Sequence, residues 1–245
     1  TSGFPSTIFR LCYGGNVKPS AVIVADTIYG ASPLQVSLDG TNSSDADQDP
    51  LSFFWDLGDS TTDVNPSLNH TFVAPNNEPI SYPVSLTVTD TAGNSDVAEI
   101  IIALNNTPPQ VTISSLADSS LYSTIVTTVV TLEADVIDLE YQDADLLYEW
   151  QTVQHHNSHT HSNPFDNSHV SSAVFEPAGC EDFATYYYSV SLKVTDPGGL
   201  SGFDQVRILP DCDGQIQPTN GFDDWVVYPN PSNGIFTLRG PIVED

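Results

Sequence analysis

Apolar residues recur at every second position along much of this chain. Val84, Leu86 and Val88 alternate with Ser85, Thr87 and Thr89, and the same rhythm returns as Val190, Leu192 and Val194 against Ser191, Lys193 and Thr195. A period of two puts the apolar set on one face of an extended chain, so these segments are predicted to be half-buried antiparallel strands. Helical periodicity is not found. Turn formers such as Asn76-Asn77 with Pro79, and Pro197-Gly198-Gly199, separate the short strands. The pattern predicts an all-β fold built from immunoglobulin-like β-sandwiches.

The chain also aligns with itself. VSLTVTD at 84–90 returns as VSLKVTD at 190–196, and each is followed by a Gly-containing turn and a further apolar strand, AEIIIAL at 98–104 and DQVRILP at 204–210. DADQDPLSFFW at 45–55 is echoed by YQDADLLYEW at 141–150, and PSAVIVAD at 19–26 by PPQVTISS at 108–115. A module of about 90–105 residues therefore occurs twice. Trp55 and Trp150 are expected to be equivalent core positions, and Tyr186 and Tyr188, which share a strand face, to pack in the core or beside Trp150. The repeat offset grows from 95 residues at the tryptophans (55 to 150) to 106 at the strands (84 to 190), which implies an insertion between Trp150 and Val190. This insertion holds the histidines and is expected to project from the sandwich as a lobe outside the core.

With these residues assembled, the first copy can be compared with known families. SSDADQDPLSFFWDLGDS at 43–60, followed by LTVTD at 86–90, closely resembles the PKD domain, whose signature is SSDPDGD…WDFGDG followed by a strand ending VTD. Leu57 stands for the usual Phe and Ser60 for the usual Gly, while the core tryptophan and both turn aspartates remain. The second copy resembles the same family more loosely: Trp150 and VTD are kept, but Gln151-Thr152 replace the Asp-containing turn. WVVYPNPSNGIFTL at 225–238 resembles the opening of the C-terminal sorting domain of the type IX secretion system of Bacteroidetes, which normally continues for several more strands. IFRLCYGG at 8–15 is similar to the last strand of secreted sugar-dehydrogenase β-propellers. The expected organisation is the tail of an upstream domain (1–16), a PKD domain (17–105), a PKD-like domain with a His-rich insertion (106–213), a linker (214–221) and the start of a sorting domain, a truncated β segment (222–245). Asn105-Asn106-Thr107-Pro108-Pro109 should stiffen the junction of the two modules.

Charge narrows the function. Five Lys+Arg against 32 Asp+Glu give a net charge of −27, which makes nucleic acid and anionic membrane surfaces repulsive partners. With 39% hydrophobic and only 15% charged residues, the composition is that of a globular chain and not of an acidic disordered tail. No run reaches the ~18 apolar residues of a membrane helix, so direct membrane insertion is not expected. The absence of Met and the Thr at position 1 lead us to expect a processed or excised piece of a longer protein. No nucleophile elbow or Gly-rich phosphate loop occurs, so the expectation is that the chain is not an enzyme.

Three groups of residues carry candidate chemistry. Asp45, Asp47 and Asp49, with Asp39, Asn42, Ser43 and Ser44 nearby, offer hard oxygens on one short turn, as calcium requires. The alternative is an Asp-rich turn bonded to its own backbone amides; in the PKD family some members bind calcium here and many do not. Asp135, Asp138, Glu140, Asp143 and Asp145 form the parallel calcium candidate of the second copy, where solvation alone is the alternative. Five of the six histidines, His155, His156, His159, His161 and His169, lie within fifteen residues. His159 and His161 face one side of an extended strand and could share zinc or copper, with His155, His156 or His169 as third ligand; solvent-exposed loop histidines are the alternative. Such a site should lose metal as the histidines protonate below about pH 6.5. Cys180 and Cys212 flank the last strands and, in a secreted chain, would form a disulfide if their Cα atoms come within about 4.4–6.8 Å. Cys12 is then left over, either buried or paired upstream.

The reading that unites these features is a pair of non-catalytic spacer, presentation or adhesion modules, calcium-stiffened, in a secreted and cell-surface-attached protein. The resemblances imply the type IX secretion machinery as a partner, with a glycan or surface protein as a further one. Two alternatives stand beside it. One is a carbohydrate- or protein-binding accessory region of a secreted sugar dehydrogenase or polysaccharide-degrading enzyme, and the other is a His-based metal-binding accessory module.

Overall fold

The computed structural model describes residues 15–180 and 185–212, together with the backbone of two short strands at 226–229 and 236–239. The chain divides into two compact units, the first ending at Thr107 and the second beginning at Pro108. In the first, β1 (Val24–Ala25), β2 (Tyr29–Gly30), β3 (Leu34–Asp39), β4 (Ser52–Asp56), β5 (Thr62–Asp63), β6 (Ser67–Phe72), β7 (Ile80–Thr89) and β8 (Ser95–Leu104) make two sheets, ordered β1-β3-β6 and β2-β8-β7-β4-β5.

The alternation read from the sequence is the burial pattern of these strands. Val84, Leu86 and Val88 of β7 are fully buried, and they meet Val36, Leu38, Trp55 and Phe72 in one core. Trp55 lies opposite Leu86 in the β4–β7 pair. In the tight turn after β4, Gly58 has φ 75°, and a Cβ there would stand 2.6 Å from the Pro83 carbonyl oxygen, so the WDLGD turn requires glycine at this point. Ser60 also has φ 75°, a left-handed conformation that costs a residue with a Cβ.

The second unit repeats the plan. β9 (Gln110–Ile113), β10 (Ser120–Ser123), β11 (Thr128–Leu132), β12 (Ala134–Ile137), β13 (Leu147–His156), β14 (His159–Ser162), β15 (Ser171–Phe175), β16 (Tyr186–Thr195) and β17 (Ser201–Asp211) include a five-stranded sheet ordered β10-β17-β16-β13-β14. That order matches β2-β8-β7-β4-β5 strand for strand, including the parallel pairings of β2 with β8 and of β10 with β17. The smaller pairs β9–β12 and β11–β15 supply Ile113, Leu132, Ala173 and Phe175 to the core opposite. Trp150 lies opposite Leu192, as Trp55 does opposite Leu86, and both indoles are buried. Among the described residues the only helical element is a 3-10 turn at Asp143–Asp145. Further along the chain, β18 (Val226–Pro229) pairs antiparallel with β19 (Phe236–Arg239).

The added length between Trp150 and Val190 does not form the separate lobe that the sequence pattern leads one to expect. β4 pairs only with Ser85–Thr89 of β7, whereas β13 runs on for ten residues and pairs with the whole of β16, from Tyr186 to Thr195. The extra residues satisfy backbone groups along β16 that a shorter strand would leave as an open edge, and this favours continuing the sheet over leaving it. The chain then turns at Asn157-Ser158 and returns as β14, the new edge strand.

Candidate functional site

Four histidines of the insertion lie on the β13–β14 hairpin, and its register sorts them by face. His156 lies opposite both His159 and Tyr186, and His161 opposite Gln154. Directly opposed residues share a face. Trp150, Thr152, Gln154 and His156 therefore continue the inward face of the sheet, with Trp150 and Thr152 buried and Gln154 and His156 half-buried toward its open end. His159 and His161 join His156 there and are exposed. Tyr188 is in the core, but Tyr186 is not: its ring stacks on His156 with centroids 5.2 Å apart, because strand alternation carries it past the last core layer.

The three imidazoles are close. His156 Nε2 and His161 Nε2 are 2.9 Å apart, the His156 and His159 rings meet edge to face at 3.7 Å, and one ligand nitrogen from each of the three lies within 4.8 Å of the others. The turn beneath them is clamped. Asn157 takes φ 51°, its amide donates to the Thr185 carbonyl at 2.9 Å, and its side-chain oxygen accepts from the Thr185 amide at 3.3 Å.

The remaining two histidines are placed elsewhere. His155 points to the opposite, outer face, where Nε2 lies 2.8 Å from Ser189 Oγ and the ring stacks on Tyr187 at 4.2 Å. Burial pushes its pKa below the ordinary imidazole value. Arg207 lies over the Tyr187 ring, 5.3 Å from its centroid. This Arg207–Tyr187–His155 row was legible only as a faint signal, the alternation of Tyr187 with Ser189 and Ser191 on one strand face. His169 Nε2 lies 2.8 Å from an Asp143 carboxylate oxygen whose partner oxygen accepts from the Tyr148 hydroxyl. Burial, and then Asp143, push the Tyr148 pKa well up.

The aspartate-rich turns are arranged differently from the histidines. Asp45 Oδ1 accepts from the amides of Asp47 at 2.8 Å and Asp49 at 3.4 Å, Asp47 Oδ2 from the Val17 amide at 2.7 Å, and Asp39 Oδ1 from the Thr41 amide at 2.8 Å. Asn42 is exposed. Asp45 and Asp39 hold their own turns and Asp47 ties its turn to Val17, whereas the histidine trio is the group of potential ligands that converges among the described residues. One oxygen stands out, however: Asp45 Oδ2 is buried with no hydrogen-bond partner.

The second unit repeats this detail. Asp138 Oδ1 accepts from the amides of Glu140 and Tyr141 at 2.9 and 2.7 Å, and Asp138 Oδ2 is again buried without a partner. Tyr141 beside it has a raised pKa, through burial first and then the carboxylates of Asp196, Asp138 and Glu140. Asp143 is engaged by Tyr148 and His169 as described, Asp135 is exposed on β12 opposite Thr112, and Asp145 is exposed in the 3-10 turn. The five acids thus do not gather at one point.

Cys180 and Cys212 are joined by a disulfide with Cα atoms 5.5 Å apart, closing the end of β17 onto the loop before β16. Cys12, the N-terminal string and the linker lie outside the described residues. So do all but two backbone strands of the C-terminal segment.

Comparison with known proteins follows the division into units. The PKD1 domain from Vibrio cholerae metalloprotease PrtV is 28% identical over 36% of this chain and 99% of its own, with a TM-score of 0.31. The PKD1 domain of Vibrio anguillarum Epp is 26% identical over 37% of this chain and 96% of its own, with a TM-score of 0.31. A structure of carbohydrate-binding modules from the β-sandwich superfamily is 14% identical over 79% of this chain and 96% of its own, with a TM-score of 0.33. No curated protein sequence matches the chain. The family match covers residues 16–103, the SSD turn, the tryptophan strand and the VTD strand together: the first sandwich of this chain is a PKD domain.

Proposed function

We propose that the two sandwiches space and present neighbouring parts of a secreted, cell-surface-attached protein, and that calcium stiffens them. The PKD domain and the immunoglobulin-like sandwich are typically non-catalytic, extracellular accessory folds. The observation that carries the presentation role is the surface. Among the described residues the exposed aromatics are Tyr29 and Phe54 in the first unit and Phe165 and Phe203 in the second. Tyr29 on β2 lies opposite Ala103 and Phe54 on β4, with two strands between, opposite Thr87, while Phe203 lies opposite Lys193 and Phe165 in a loop, so none is paired with another. Sugar-binding sandwiches of the stacking type need a row of aromatics on one face, so isolated aromatics favour a spacer over a glycan-binding platform. The second unit, with its matching strand order and Trp150–Leu192 register, is read as a PKD-like module. YPNPSNGIF is read as the start of a type IX sorting signal that supplies the surface attachment.

Calcium fits a particular feature of both units. A buried carboxylate oxygen without a donor is costly, and a hard cation would satisfy it. Asp45 Oδ2 and Asp138 Oδ2 are such oxygens, each on an aspartate whose other oxygen already holds the turn. They are the residues that would hold the ion. The presentation role is tested by affinity electrophoresis of the chain in gels containing soluble polysaccharides. Unretarded migration is expected, and retardation by a glycan would replace the spacer with the carbohydrate-binding reading.

A further inference from the structure

We propose that His156, His159 and His161 form an open three-histidine site for a divalent transition ion, zinc(II) in the first instance, on the edge hairpin of the second sandwich. The site is independent of the presentation role and of calcium. Three imidazole nitrogens and no carboxylate are the donor set of a borderline-soft cation, not of calcium. A tetrahedral zinc with Zn–N bonds of about 2.0–2.1 Å needs its nitrogens about 3.3 Å apart. His156 Nε2 and His161 Nε2 stand at 2.9 Å, and all three ligand atoms fall within 4.8 Å, so small side-chain rotations reach that geometry without moving the backbone.

The backbone is already committed. His156 is on a strand paired along its whole length to β16 and is backed by the Tyr186 ring, while β14 is tied by the Asn157 clamp to Thr185. Such pre-organisation lowers the ordering cost of binding. His159 and His161 are exposed, so the fourth coordination position opens to solvent, the arrangement of a site that admits an external ligand and not of a closed structural one. The net charge of −27 raises the local concentration of cations around the chain. A hydrogen-bonded histidine pair with a third ring beside it is the competing account. It explains the 2.9 Å contact but gives no reason for a ligand nitrogen of the third imidazole to lie within 4.8 Å of the other two.

The test is calorimetric titration of the full chain with zinc chloride at neutral pH. One equivalent should bind to the wild type, the double variant His159→Ala/His161→Ala should bind at least 100-fold more weakly, and His155→Ala and His169→Ala should stay within threefold of wild type. Copper(II), higher in the affinity series, should depend on the same residues. Because β14 is an exposed edge strand, equal melting temperatures of the metal-free proteins will show that the double variant is folded. If its melting temperature falls, single His159→Gln and His161→Gln variants replace it, with the same expected loss of affinity. No zinc uptake by the wild type, undiminished uptake by these variants, or an equal loss in His155→Ala or His169→Ala would overturn the site.

Discussion

The indole nitrogen of Trp55 donates a hydrogen bond to the Asn65 carbonyl at 2.9 Å, an arrangement its counterpart in the second unit lacks. Trp150 is equally buried, yet its Nε1 finds no acceptor among the described residues. Replacing either tryptophan by Ala should cost about 3–5 kcal/mol through lost burial and a cavity. Replacement by Phe separates the two: Trp55→Phe also breaks a hydrogen bond, whereas Trp150→Phe removes an unsatisfied donor. Trp55→Phe should therefore be the more destabilising by about 1 kcal/mol. Calorimetric unfolding of both variants checks this, and equal losses would show that the Asn65 bond contributes nothing net.

Ser60 offers a stabilising change. Its φ of 75° costs an L-residue about 1–2 kcal/mol, which glycine avoids while losing some of that gain to a freer unfolded chain. Ser60→Gly should raise the stability of the first unit by about 0.5–1 kcal/mol. A lower melting temperature for the variant would contradict it.

The Cys180–Cys212 bridge spans 32 positions, for which loop-closure entropy gives a stabilisation of about 3–4 kcal/mol. Cys180→Ser/Cys212→Ser, or mild reduction, should lower the melting temperature of the second unit and leave the first unit's transition in place. A protein whose transitions do not respond to reductant would show that the bridge is not formed in solution.

If calcium binds at the buried oxygens of Asp45 and Asp138, millimolar calcium should raise the melting temperature relative to EDTA. An ion at a hundredfold excess over its Kd adds about 2.7 kcal/mol to the folded state. Asp45→Asn and Asp138→Asn should each remove part of the increment. Coincident melting curves in calcium and EDTA would dismiss the ion.

Asp90, the residue that follows β7, sets a pH dependence. Its side chain is buried, which by itself raises the pKa, but hydrogen bonds from the Asn94 side chain, the Asn94 amide and the Asn16 side chain outweigh this, so the pKa lies below the ordinary carboxylate value. A depressed folded-state pKa contributes stability that is fully present above the unfolded value of about 3.9 and is lost as pH falls through the folded value. The stability gap between wild type and Asp90→Ala should accordingly be constant from neutral pH to about 5 and narrow only on further acidification. A gap that already closes between pH 7 and 5 would assign the stabilisation to another group.

Much of the architecture was legible because a strand's side chains alternate with a period of two, which the spacing of Val84, Leu86 and Val88 and of Val190, Leu192 and Val194 records directly. The repeat placed Trp55 and Trp150 in equivalent surroundings, and the structure sets them opposite Leu86 and Leu192 in the same register. The string from Ser43 to Ser60 sufficed for the PKD resemblance because its turn aspartates, glycine and core tryptophan are each demanded by local geometry. Tertiary structure decided what local spacing cannot. His159 and His161 share a face in any extended strand, but the choice of His156 over His155 as their neighbour depends on the β13–β14 register, and a slip of one residue would exchange them. Asp45, Asp47 and Asp49 have a spacing suited to a cation, yet the path of the turn aims Asp45 Oδ1 at the Asp47 and Asp49 amides and Asp47 Oδ2 at the Val17 amide, and leaves Asp45 Oδ2 buried without a partner. Side-chain identity is written in the chain, whereas the direction in which a side chain points, and what it meets there, follows from pairing between residues that are distant in sequence.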